Sequence, residues 1–536
     1  MKNKYDIVII GSGIAAAALS QRLLKNNPKA SILILEAGQS VKMQDSAIWQ
    51  DLLVSGKLPY TKYQDLPYPT RNTPGQNRSA GRDVLPVDGS RVMTFGGTTI
   101  HWAGWSFRLK PEDFKLYTNT GHGIDWPIDY DDLEHYYGEA EEYIGVSGSP
   151  VGQNTPRKKG YPFPPFPFTL EDEPVIQAFR KLKIEYSNVP MARHGSTQTD
   201  SPHAPCKTTG TCDYCPFGAR YSANNFLNEM MEWNRYPNFE VRLNSVVQEI
   251  MMKSKTEAKG VKFFDKVENK MREVSAKHIV VAGGTIESPK LLQRSKSKFA
   301  PNGIGNDNDL VGRYLLIQPW TTFTGVVKAN PKKMQTVMAF PTLCTRHFDS
   351  KKEQDKGKFI LANWPPATLP TTLSTMMQNG DSSRDIKKAI SENYTVTING
   401  QSEIFSEHRN RVYNLESKVN QIGLYETVVD FTKPAGFDHR LEEIKEHVQK
   451  VFLEMGAKMD PHFSTSIRAD HASCTCRMAK SPKEGVVDKD LKVFGTENVY
   501  VCSNAAFSSM GAVNPTLTLA ALSIRLGDHL SKSQKG

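Results

Sequence analysis

The first forty residues contain the pattern that most restricts how this chain can fold. A continuous apolar run, Ile7–Ile10, leads into Gly11, Gly13 and Ala16, and a helical pattern follows. Such an unbroken apolar run is typical of a parallel strand buried on both faces. The first glycine permits a tight turn, the second lets the backbone approach a pyrophosphate, and a small third residue lets the helix lie close to the strand. The order strand, glycine turn, helix predicts a dinucleotide-binding α/β unit.

A second strand and an acidic residue support this interpretation. Ser31–Leu35 predicts a strand, and Glu36 follows it about twenty residues after the glycine turn, where an acidic side chain can bind ribose hydroxyls. The pyrophosphate would meet free N–H groups at the start of the helix. The two strands, the glycines and the glutamate together predict a nucleotide site. This unit alone does not distinguish FAD from NAD.

Later segments add further elements of the same kind. His278–Leu292 repeats the order strand, glycine turn, helix, and Asn498–Cys502 predicts another strand. Asn514–Arg525 predicts a helix that opens at Asn514-Pro515, because proline suits the first helical turn. The middle of the chain differs, with strand character at Thr321–Lys328 and Thr336–Cys344.

A helix is predicted over Glu442–Met455, because its apolar residues recur with helical spacing. The apolar face consists of Ile444, Val448, Val451 and Phe452. A second domain built on an antiparallel sheet with helices fits this middle region. A pocket for a polar ring there would use polar or aromatic contacts, and the candidates are Gln318, Trp320, Asn363 and Gln401.

Three of the seven cysteines, Cys206, Cys212 and Cys215, lie close together in a loop that ends in Cys-Pro. Iron–sulfur clusters are held by cysteine runs with such spacings, and three thiolates suit a [3Fe–4S] cluster with one thiolate per iron. A zinc site with His203 as the fourth ligand is one alternative. A structural loop with chance cysteines is another. The odd total and the absence of spread-out pairs argue against a disulfide framework.

Length and composition exclude several classes of protein. A chain of 536 residues predicts two or more structural units. No run of about eighteen apolar residues occurs, so no transmembrane segment is expected. The net charge of +10 comes from scattered lysines and arginines, which indicates solubility or an acidic partner and not nucleic-acid binding. The N-terminus shows no export signal pattern.

Taken together, these segments resemble the glucose–methanol–choline (GMC) family of flavoproteins, which builds one FAD domain from scattered pieces. The resemblance is strongest at Gly11–Gly38, Gly96–Trp102, Cys206–Cys215, Ala282–Leu292 and His471–Arg525. It implies an α/β FAD-binding Rossmann-like domain with a second substrate domain built on an antiparallel sheet. The expected boundaries are 1–320 for the FAD domain with its cover segments and a cysteine loop at about 200–220, 321–455 for the substrate domain, and 456–536 for the return to the FAD domain.

The resemblance also implies a catalytic pair. His471–Met478 is similar to the family segment His-x-x-x-Thr-x-Arg-Met, in which the histidine is the general base, and Asn514 matches the second catalytic position. An imidazole suits removal of a hydroxyl proton, and an amide can bind the same hydroxyl. The alternative interpretations are that His471 is a structural histidine and that Asn514 is a helix N-cap. An N-cap residue can still take part in catalysis.

The same resemblance implies which residues would contact FAD: Gly11, Gly13, Ala16, Glu36, Gly96, Gly97, His101, Val247, Asn504, Asn514 and Thr516. His101 matches a position that carries covalently bound FAD in some relatives. Trp102 and Trp105 are expected to pack around the flavin ring. Cys474 and Ala479 stand where glycines are usual in the family.

The cysteine loop resembles that of the iron–sulfur sugar dehydrogenases of the family, which include glucoside 3-dehydrogenases. The expectation is an FAD enzyme that oxidises a hydroxyl of a sugar or glycoside and passes electrons through the cluster to a cytochrome or another acceptor. An oxygen-using sugar oxidase of the pyranose oxidase type is one alternative. A non-enzymatic binding protein with a structural zinc site is the other.

Relatives with this loop work in the periplasm after export together with a small companion subunit. The resemblance therefore implies a companion subunit and a periplasmic location, with a cytoplasmic enzyme as the alternative. The candidate contact is the apolar, proline-rich arm Tyr161–Phe168. The same arm also fits a stiff connection with aromatic anchors.

Overall fold

The computed structural model describes residues 2–60, 77–87, 90–195, 204–232, 235–328, 340–364, 375–391, 393–460 and 463–533. His203 and residues 336–339 of a predicted strand lie outside these ranges. The strands are β1 Lys4–Ile10, β2 Ile32–Leu35, β3 Arg78–Ser79, β4 Val146–Ser147, β5 Ser187–Asn188, β6 Met191–Ala192, β7 Phe239–Arg242, β8 Ser245–Met252, β9 Ala258–Asp265, β10 Lys270–Val281, β11 Trp320–Lys328, β12 Leu343–Thr345, β13 Phe359–Trp364, β14 Asn393–Ser402, β15 Arg411–Val419, β16 Tyr425–Asp430, β17 Lys458–Met459, β18 Ser464–Ser466 and β19 Val499–Val501. The α-helices are α1 Ile14–Asn26, α2 Ser46–Ser55, α3 Leu116–Thr120, α4 Tyr130–Ile144, α5 Glu173–Lys181, α6 Ala223–Met231, α7 Gly284–Arg294, α8 Ser383–Ser391, α9 Phe437–Glu454 and α10 Thr516–Ser533.

The N-terminal sheet is mixed, with strand order β7-β2-β1-β10-β9-β8 and with β19 also paired to β10. Strands β7, β2, β1, β10 and β19 run parallel to one another, whereas β9 runs antiparallel to both of its neighbours, β10 and β8. The apolar run Ile7–Ile10 lies in the central strand β1 and is buried. Helix α1 packs against α10, and its first four residues, Ile14–Ala17, are buried. The predicted α/β unit is confirmed.

Parallel pairing brings the carboxyl ends of three strands to one edge of this sheet. Ile10 pairs with Leu35 on one side and with Val281 on the other. The residues that follow these ends are Gly11 and Glu36, which were predicted to bind a nucleotide, and Ala282. Ligands of open α/β sheets bind at this edge.

The second sheet has the order β17-β11-β14-β13-β12-β5, with β18 also paired to β11. Every pairing in it is antiparallel, as predicted. Helix α9 contacts β11, and its predicted apolar face, Ile444, Val448, Val451 and Phe452, is buried. The helix begins five residues earlier than the pattern predicted, at Phe437.

The C-terminal segment connects the two sheets. β18 pairs with β11 in the second sheet, and β19 pairs with β10 in the first. The chain between them and the start of α10 therefore lie where the two sheets meet. His471 and Asn514 both belong to this segment. Among the helices that the structure describes, none is long and apolar enough to cross a membrane.

Candidate active site

A cavity of about 1130 Å³ opens at the carboxyl edge of the first sheet and extends to the second. Its walls include Gly11 and Glu36 at one end, and Trp320, His471 and Asn514 at the other. The predicted FAD contacts that line it are Gly11, Gly13, Glu36, Gly97, His101, Val247, Asn504, Asn514 and Thr516. The other two, Ala16 and Gly96, are not among the lining residues: Ala16 is fully buried in α1.

The two glycines of the N-terminal turn have different tasks. Gly11 has a φ of +102°, and a Cβ there would lie 2.7 Å from the carbonyl oxygen of Ala282. Only glycine therefore fits the turn without displacing backbone. Gly13 has an ordinary φ of −72°, and no atom lies within 4 Å of a Cβ built on it. The turn thus leaves open space beside the first residues of α1, where an anionic group can approach free N–H groups.

Glu36 joins the ends of β1 and β2. Its carboxylate accepts hydrogen bonds from the backbone N–H of Ser12 at 3.0 Å, from the Ser12 hydroxyl at 2.6 Å and from the backbone N–H of Gly38 at 2.8 Å. Burial raises the pKa of this carboxyl above its usual value, although the three hydrogen bonds oppose the rise. Ser12 in turn accepts a bond from the Gly96 N–H at 3.0 Å. This role of Ser12 was not predicted.

Unpaired polar atoms in the wall fit a polar ligand. The side-chain oxygens of Asn504 and Asn514 are buried and have no hydrogen-bond partner among the described residues. Both side chains line the cavity. Buried acceptors without partners are costly unless a ligand or water supplies a donor. Together with the open space beside Gly13, they make this chain's residues a fit for FAD.

The predicted catalytic pair is brought together. Nε2 of His471 lies 3.2 Å from Nδ2 of Asn514, and Nδ1 of His471 lies 2.9 Å from Oε1 of Gln318. His471 ends a 3₁₀ turn, Ala469–His471, and Asn514 lies two residues before α10. Burial lowers the pKa of His471, and the charge of Asp470 only partly opposes this. The imidazole is therefore neutral near pH 7 and able to accept a proton.

Three tryptophans form an aromatic wall beside this pair. The ring centroids of Trp105, Trp320 and Trp364 lie 5.5 to 6.0 Å apart, and all three line the cavity. Trp364, at the end of β13, was not predicted. The predicted contacts Gln401 and Asn363 turn elsewhere: Asn363 donates to Asp172 at 2.8 Å. Large aromatic rings give a pocket apolar area while their N–H edges remain available to polar groups.

Residues near the mouth of the cavity were also missed. Arg468 and Asp470 form an ion pair at 3.2 Å, and both line the cavity. Their position just before His471 in the sequence is the signal that could have identified them as residues of the site. The other polar lining residues that the sequence did not single out include Arg91, Asn244, Ser245, Lys266, Glu287, Lys290 and Asn420.

Cys474 stands where the family usually has a glycine, and its backbone conformation accounts for that preference. Its φ is +71°, in the left-handed region that favours glycine. Cys474 and Cys476 are fully buried, and burial raises the pKa of the Cys476 thiol. They are core residues, as interpreted from the sequence.

The cysteine loop surrounds a buried cation. Nη1 of Arg193 lies 3.0 Å from Sγ of Cys212 and 4.0 Å from Sγ of Cys206. Burial lowers the pKa of Arg193, but the charges of Cys212, Cys206 and Cys215 raise it by more than burial lowers it. The net shift of the pKa is therefore upward. Nε and Nη2 of Arg193 have no hydrogen-bond partner among the described residues.

A second arginine links this loop to the cavity. Arg220 is buried, and it donates to the backbone carbonyls of Ile100 and Trp102. The indole N–H of Trp102 donates to the carbonyl of Tyr221 at 2.9 Å. Because Trp102 lines the cavity, the segment that follows the cysteine loop is tied directly to the cavity wall.

No group of three or more His, Cys, Asp or Glu side chains among the described residues is arranged to hold a metal ion. A single zinc ion requires all its ligands about 2 Å from one point. An iron–sulfur cluster, by contrast, distributes its thiolates over separate irons. His203, the zinc alternative's fourth ligand, lies outside the described residues.

The proline-rich arm Tyr161–Phe168 is less exposed than expected of a surface that contacts a companion subunit. Tyr161 stacks on Arg157, with 3.7 Å from the guanidinium carbon to the ring centroid. Phe163 and Phe166 pack against His194 and Phe340, and Phe168 is 37% exposed. Most of the arm's aromatic rings are therefore covered by this chain itself.

Comparison with known proteins agrees with this geometry. Two family models, both described as GMC oxidoreductase, match residues 170–320 and 425–523. The fructose dehydrogenase large subunit of Gluconobacter japonicus is 27% identical, with 99% of this chain and 98% of that protein aligned. Paromamine 6'-oxidase of Streptomyces fradiae is 26% identical over 97% of this chain and 90% of that protein.

A solved structure is similar over nearly the whole length. Pyridoxine 4-oxidase from Mesorbium loti has a TM-score of 0.66 at 17% identity, covering 98% of this chain and 99% of that one. At such identity the likeness concerns the fold alone. It confirms the predicted fold, an FAD-type α/β domain with a second domain on an antiparallel sheet.

Proposed function

This chain belongs to the GMC oxidoreductase family, and we propose from that premise that it oxidises a hydroxyl group of a sugar or glycoside. As a family member it is an FAD-dependent oxidoreductase that acts on CH–OH donors. The observation that carries the proposal is the pair His471 and Asn514, 3.2 Å apart, in the wall of a cavity whose far end fits a dinucleotide.

The chain's own residues divide the reaction between them. Asn514 binds the substrate hydroxyl through its amide and so positions the carbinol carbon. Nε2 of His471 takes the hydroxyl proton as the C–H bond breaks and the carbonyl forms. FAD, held by the edge that contains Gly11, Gly13 and Glu36, would supply the acceptor for the hydride and its two electrons. Proton, electron pair and product are then all accounted for.

The end of the cavity beside His471 and Asn514 supports a sugar as the substrate class. Trp105, Trp320 and Trp364 offer wide apolar faces, and the ion pair Arg468–Asp470 at the mouth offers charged and polar groups. A cyclic polyol has both kinds of surface. The fructose dehydrogenase relative supports a sugar, and a glucoside oxidised at its 3-hydroxyl is one specific candidate.

We further propose a [3Fe–4S] cluster on Cys206, Cys212 and Cys215 as the outlet for electrons. Burying an unpaired cation costs several kcal/mol, yet Arg193 and Arg220 are both buried beside these thiols, and Arg193 has unpartnered N–H groups. An anionic cluster would satisfy that positive charge. It would supply a one-electron carrier next to the cavity wall, and a cytochrome or similar protein would be the external acceptor.

An oxygen-using sugar oxidase is the second candidate function. It is favoured by the similarity to paromamine 6'-oxidase, which covers almost the whole chain. In that case FAD would return its electrons to oxygen, and the cysteine loop would have a structural task. Hydrogen peroxide formed in proportion to sugar consumed would identify this activity.

A small companion subunit and a periplasmic location complete the proposal, with a cytoplasmic enzyme as the alternative. The term "large subunit" in the name of the fructose dehydrogenase relative supports a companion subunit for this chain. Exposed Phe168 and Leu170, 37% and 60% accessible, are the part of the proline-rich arm region that remains open to a partner.

The experiment that tests this function is a dye-reduction screen of the purified protein with glucose, gluconate, fructose, polyols and glucosides. A sugar that bleaches the flavin without oxygen and reduces the dye supports a dehydrogenase. Bleaching by none of these substrates, with flavin present, would contradict a sugar as substrate.

A further inference from the structure

Two buried glutamines lie between the candidate base and the loop that carries Asn514. Gln318 lies two residues before β11, and Gln401 lies near the end of β14, opposite Trp320 in the sheet. Both are at most 5% exposed. The antiparallel pairing of β11 with β14 brings these two side chains together from distant parts of the sequence.

The orientation of the Gln318 amide is fixed by its neighbours. Its Nε2 lies 2.6 Å from the carbonyl oxygen of Gly511 and 3.0 Å from that of Val513. Carbonyl oxygens only accept hydrogen bonds, so the nitrogen must face them and Oε1 must point away. The amide of Gln401 is fixed in the same way: its Nε2 donates to the Ala512 carbonyl at 3.1 Å and to Oε1 of Gln318 at 3.0 Å.

The two amides thus hold three consecutive carbonyls, those of residues 511–513, directly before Asn514. The same side chains therefore determine where the Asn514 amide lies. The local backbone needs this support, since Gly511 has a φ of +58°. A Cβ there would also lie 3.0 Å from a carboxylate oxygen of Asp113.

The orientation of Gln318 also determines the tautomer of His471. Oε1 of Gln318 lies 2.9 Å from Nδ1 of His471, and an amide oxygen only accepts. The neutral imidazole must therefore carry its proton on Nδ1. The lone pair is then on Nε2, which faces the Asn514 amide N–H group at 3.2 Å and the cavity.

We propose that Gln318, held by Gln401, is a positioning residue that fixes the reactive tautomer of His471 and the place of Asn514 at once. The inference rests on the proposed function, in which His471 is the base. Without Gln318 the imidazole could carry its proton on Nε2 and would be unable to accept one from the substrate. The loop before Asn514 would lose two of its three amide contacts, those to the carbonyls of Gly511 and Val513, in the same change.

The neutral character of Gln318 matters as well. A carboxylate beside Nδ1 would stabilise the imidazolium and raise its pKa, whereas an uncharged amide leaves the base neutral at the working pH. An apolar group would have the opposite effect, because removing an acceptor from Nδ1–H destabilises the charged form.

The test uses the FAD-loaded variants Gln318→Glu and Gln318→Met, with kcat/KM measured against pH by dye reduction. We expect the acidic limb of the profile to move to higher pH in Gln318→Glu and to lower pH in Gln318→Met. In Gln318→Met, kcat should fall at least about tenfold, by analogy with the loss seen when the hydrogen-bond partner of a metal-binding histidine is removed. KM should change less, because the amide nitrogen and oxygen of Gln318 are already bonded to the loop carbonyls, to Gln401 and to His471.

Asn363→Leu is the matched control. Asn363 is a buried amide of the same sheet that donates to Asp172 and does not line the cavity. Its loss should lower the thermal unfolding midpoint without moving the acidic limb. An effect confined to stability in all three variants would mean that Gln318 is structural only.

The outcomes separate the inference from the proposed function. An acidic limb at the wild-type pH in both Gln318 variants, with His471→Ala still inactive, overturns the positioning role alone. Wild-type activity in His471→Ala overturns both. Should the Gln318 variants fail to bind FAD, Gln401→Met decides: a lowered kcat supports the clamp on residues 511–513, and an unchanged kcat contradicts it.

Discussion

Nε2 of His471 lies 3.2 Å from Nδ2 of Asn514, although 43 residues separate them in the sequence. The distance results from the path of the C-terminal segment, which leaves the second sheet at β18 and joins the first at β19. The candidate base and a hydrogen-bonding amide therefore share one wall of the cavity.

Gly13→Ala should separate folding from cofactor binding. The added Cβ meets no protein atom within 4 Å, so the fold should survive, but it would occupy space that the nucleotide needs. We expect FAD affinity to fall about tenfold or more, roughly 1.4 kcal/mol, measured by flavin titration of the apoprotein.

Gly56→Ala is the control for that variant. Its φ of +67° makes alanine unfavourable, yet no atom is near and the residue does not line the cavity. It should lose a little stability and keep full FAD affinity. Normal FAD binding by Gly13→Ala would contradict the nucleotide site.

The pH dependence should report the neutral imidazole. His471 must be unprotonated to act as a base, and burial lowers its pKa. Activity should therefore persist at acidic pH and fall only as the pH drops below about 6.5, the ordinary value for histidine. A plot of kcat/KM against pH provides the measurement, and an acidic limb well above that value would contradict a buried neutral base.

Cys212→Ser should remove the iron while leaving the flavin reducible by sugar. The Cys212 sulfur lies 3.0 Å from Arg193, so its loss alters the proposed cluster site and not the FAD site. Metal analysis should find iron in the parent protein and much less in the variant, and reduction of a protein acceptor should fall far more than anaerobic bleaching. Cys344→Ala, in buried strand β12, is the control that should keep its iron. Zinc in place of iron in the parent would contradict the relay.

Expression with and without a partner tests the companion subunit. We expect the chain alone to be poorly soluble or poor in flavin, and co-expression with the product of a neighbouring small gene to restore both properties. Flavin content and size-exclusion elution are the measurements. A lone chain that is soluble, monomeric and fully active would favour a cytoplasmic enzyme without a companion.

The sequence predicted those parts of the fold that depend on residues close together in the chain. Gly11 has a φ of +102°, the tight-turn conformation that the local glycine pattern predicted. The apolar face of α9 has helical spacing and is buried throughout. Pro515 was placed inside the last helix, but α10 begins one residue later, at Thr516, because helix boundaries depend on local hydrogen bonds.

Relationships formed only by distant pairing could not be predicted in this way. Gln318 and Gln401 are 83 residues apart, and each was interpreted as a substrate contact. Their contact with the loop before Asn514 exists only once β11 pairs with β14. The same reason applies to Arg193, which lies outside the cysteine motif and meets it through folding. The rings of the proline-rich arm are covered by partners such as Phe340, which no local pattern in the arm indicates.

The role of His471 as the base is tested most directly by the rate at which sugar reduces the flavin of His471→Ala in a rapid-mixing experiment without oxygen. We expect the variant to keep its FAD but to reduce it at least about a hundredfold more slowly, the scale for loss of a general base. His135→Ala, whose side chain is 64% exposed on α4, should reduce its flavin at the parent rate. Reduction at the parent rate by an FAD-loaded His471→Ala would contradict the role of His471 as the base.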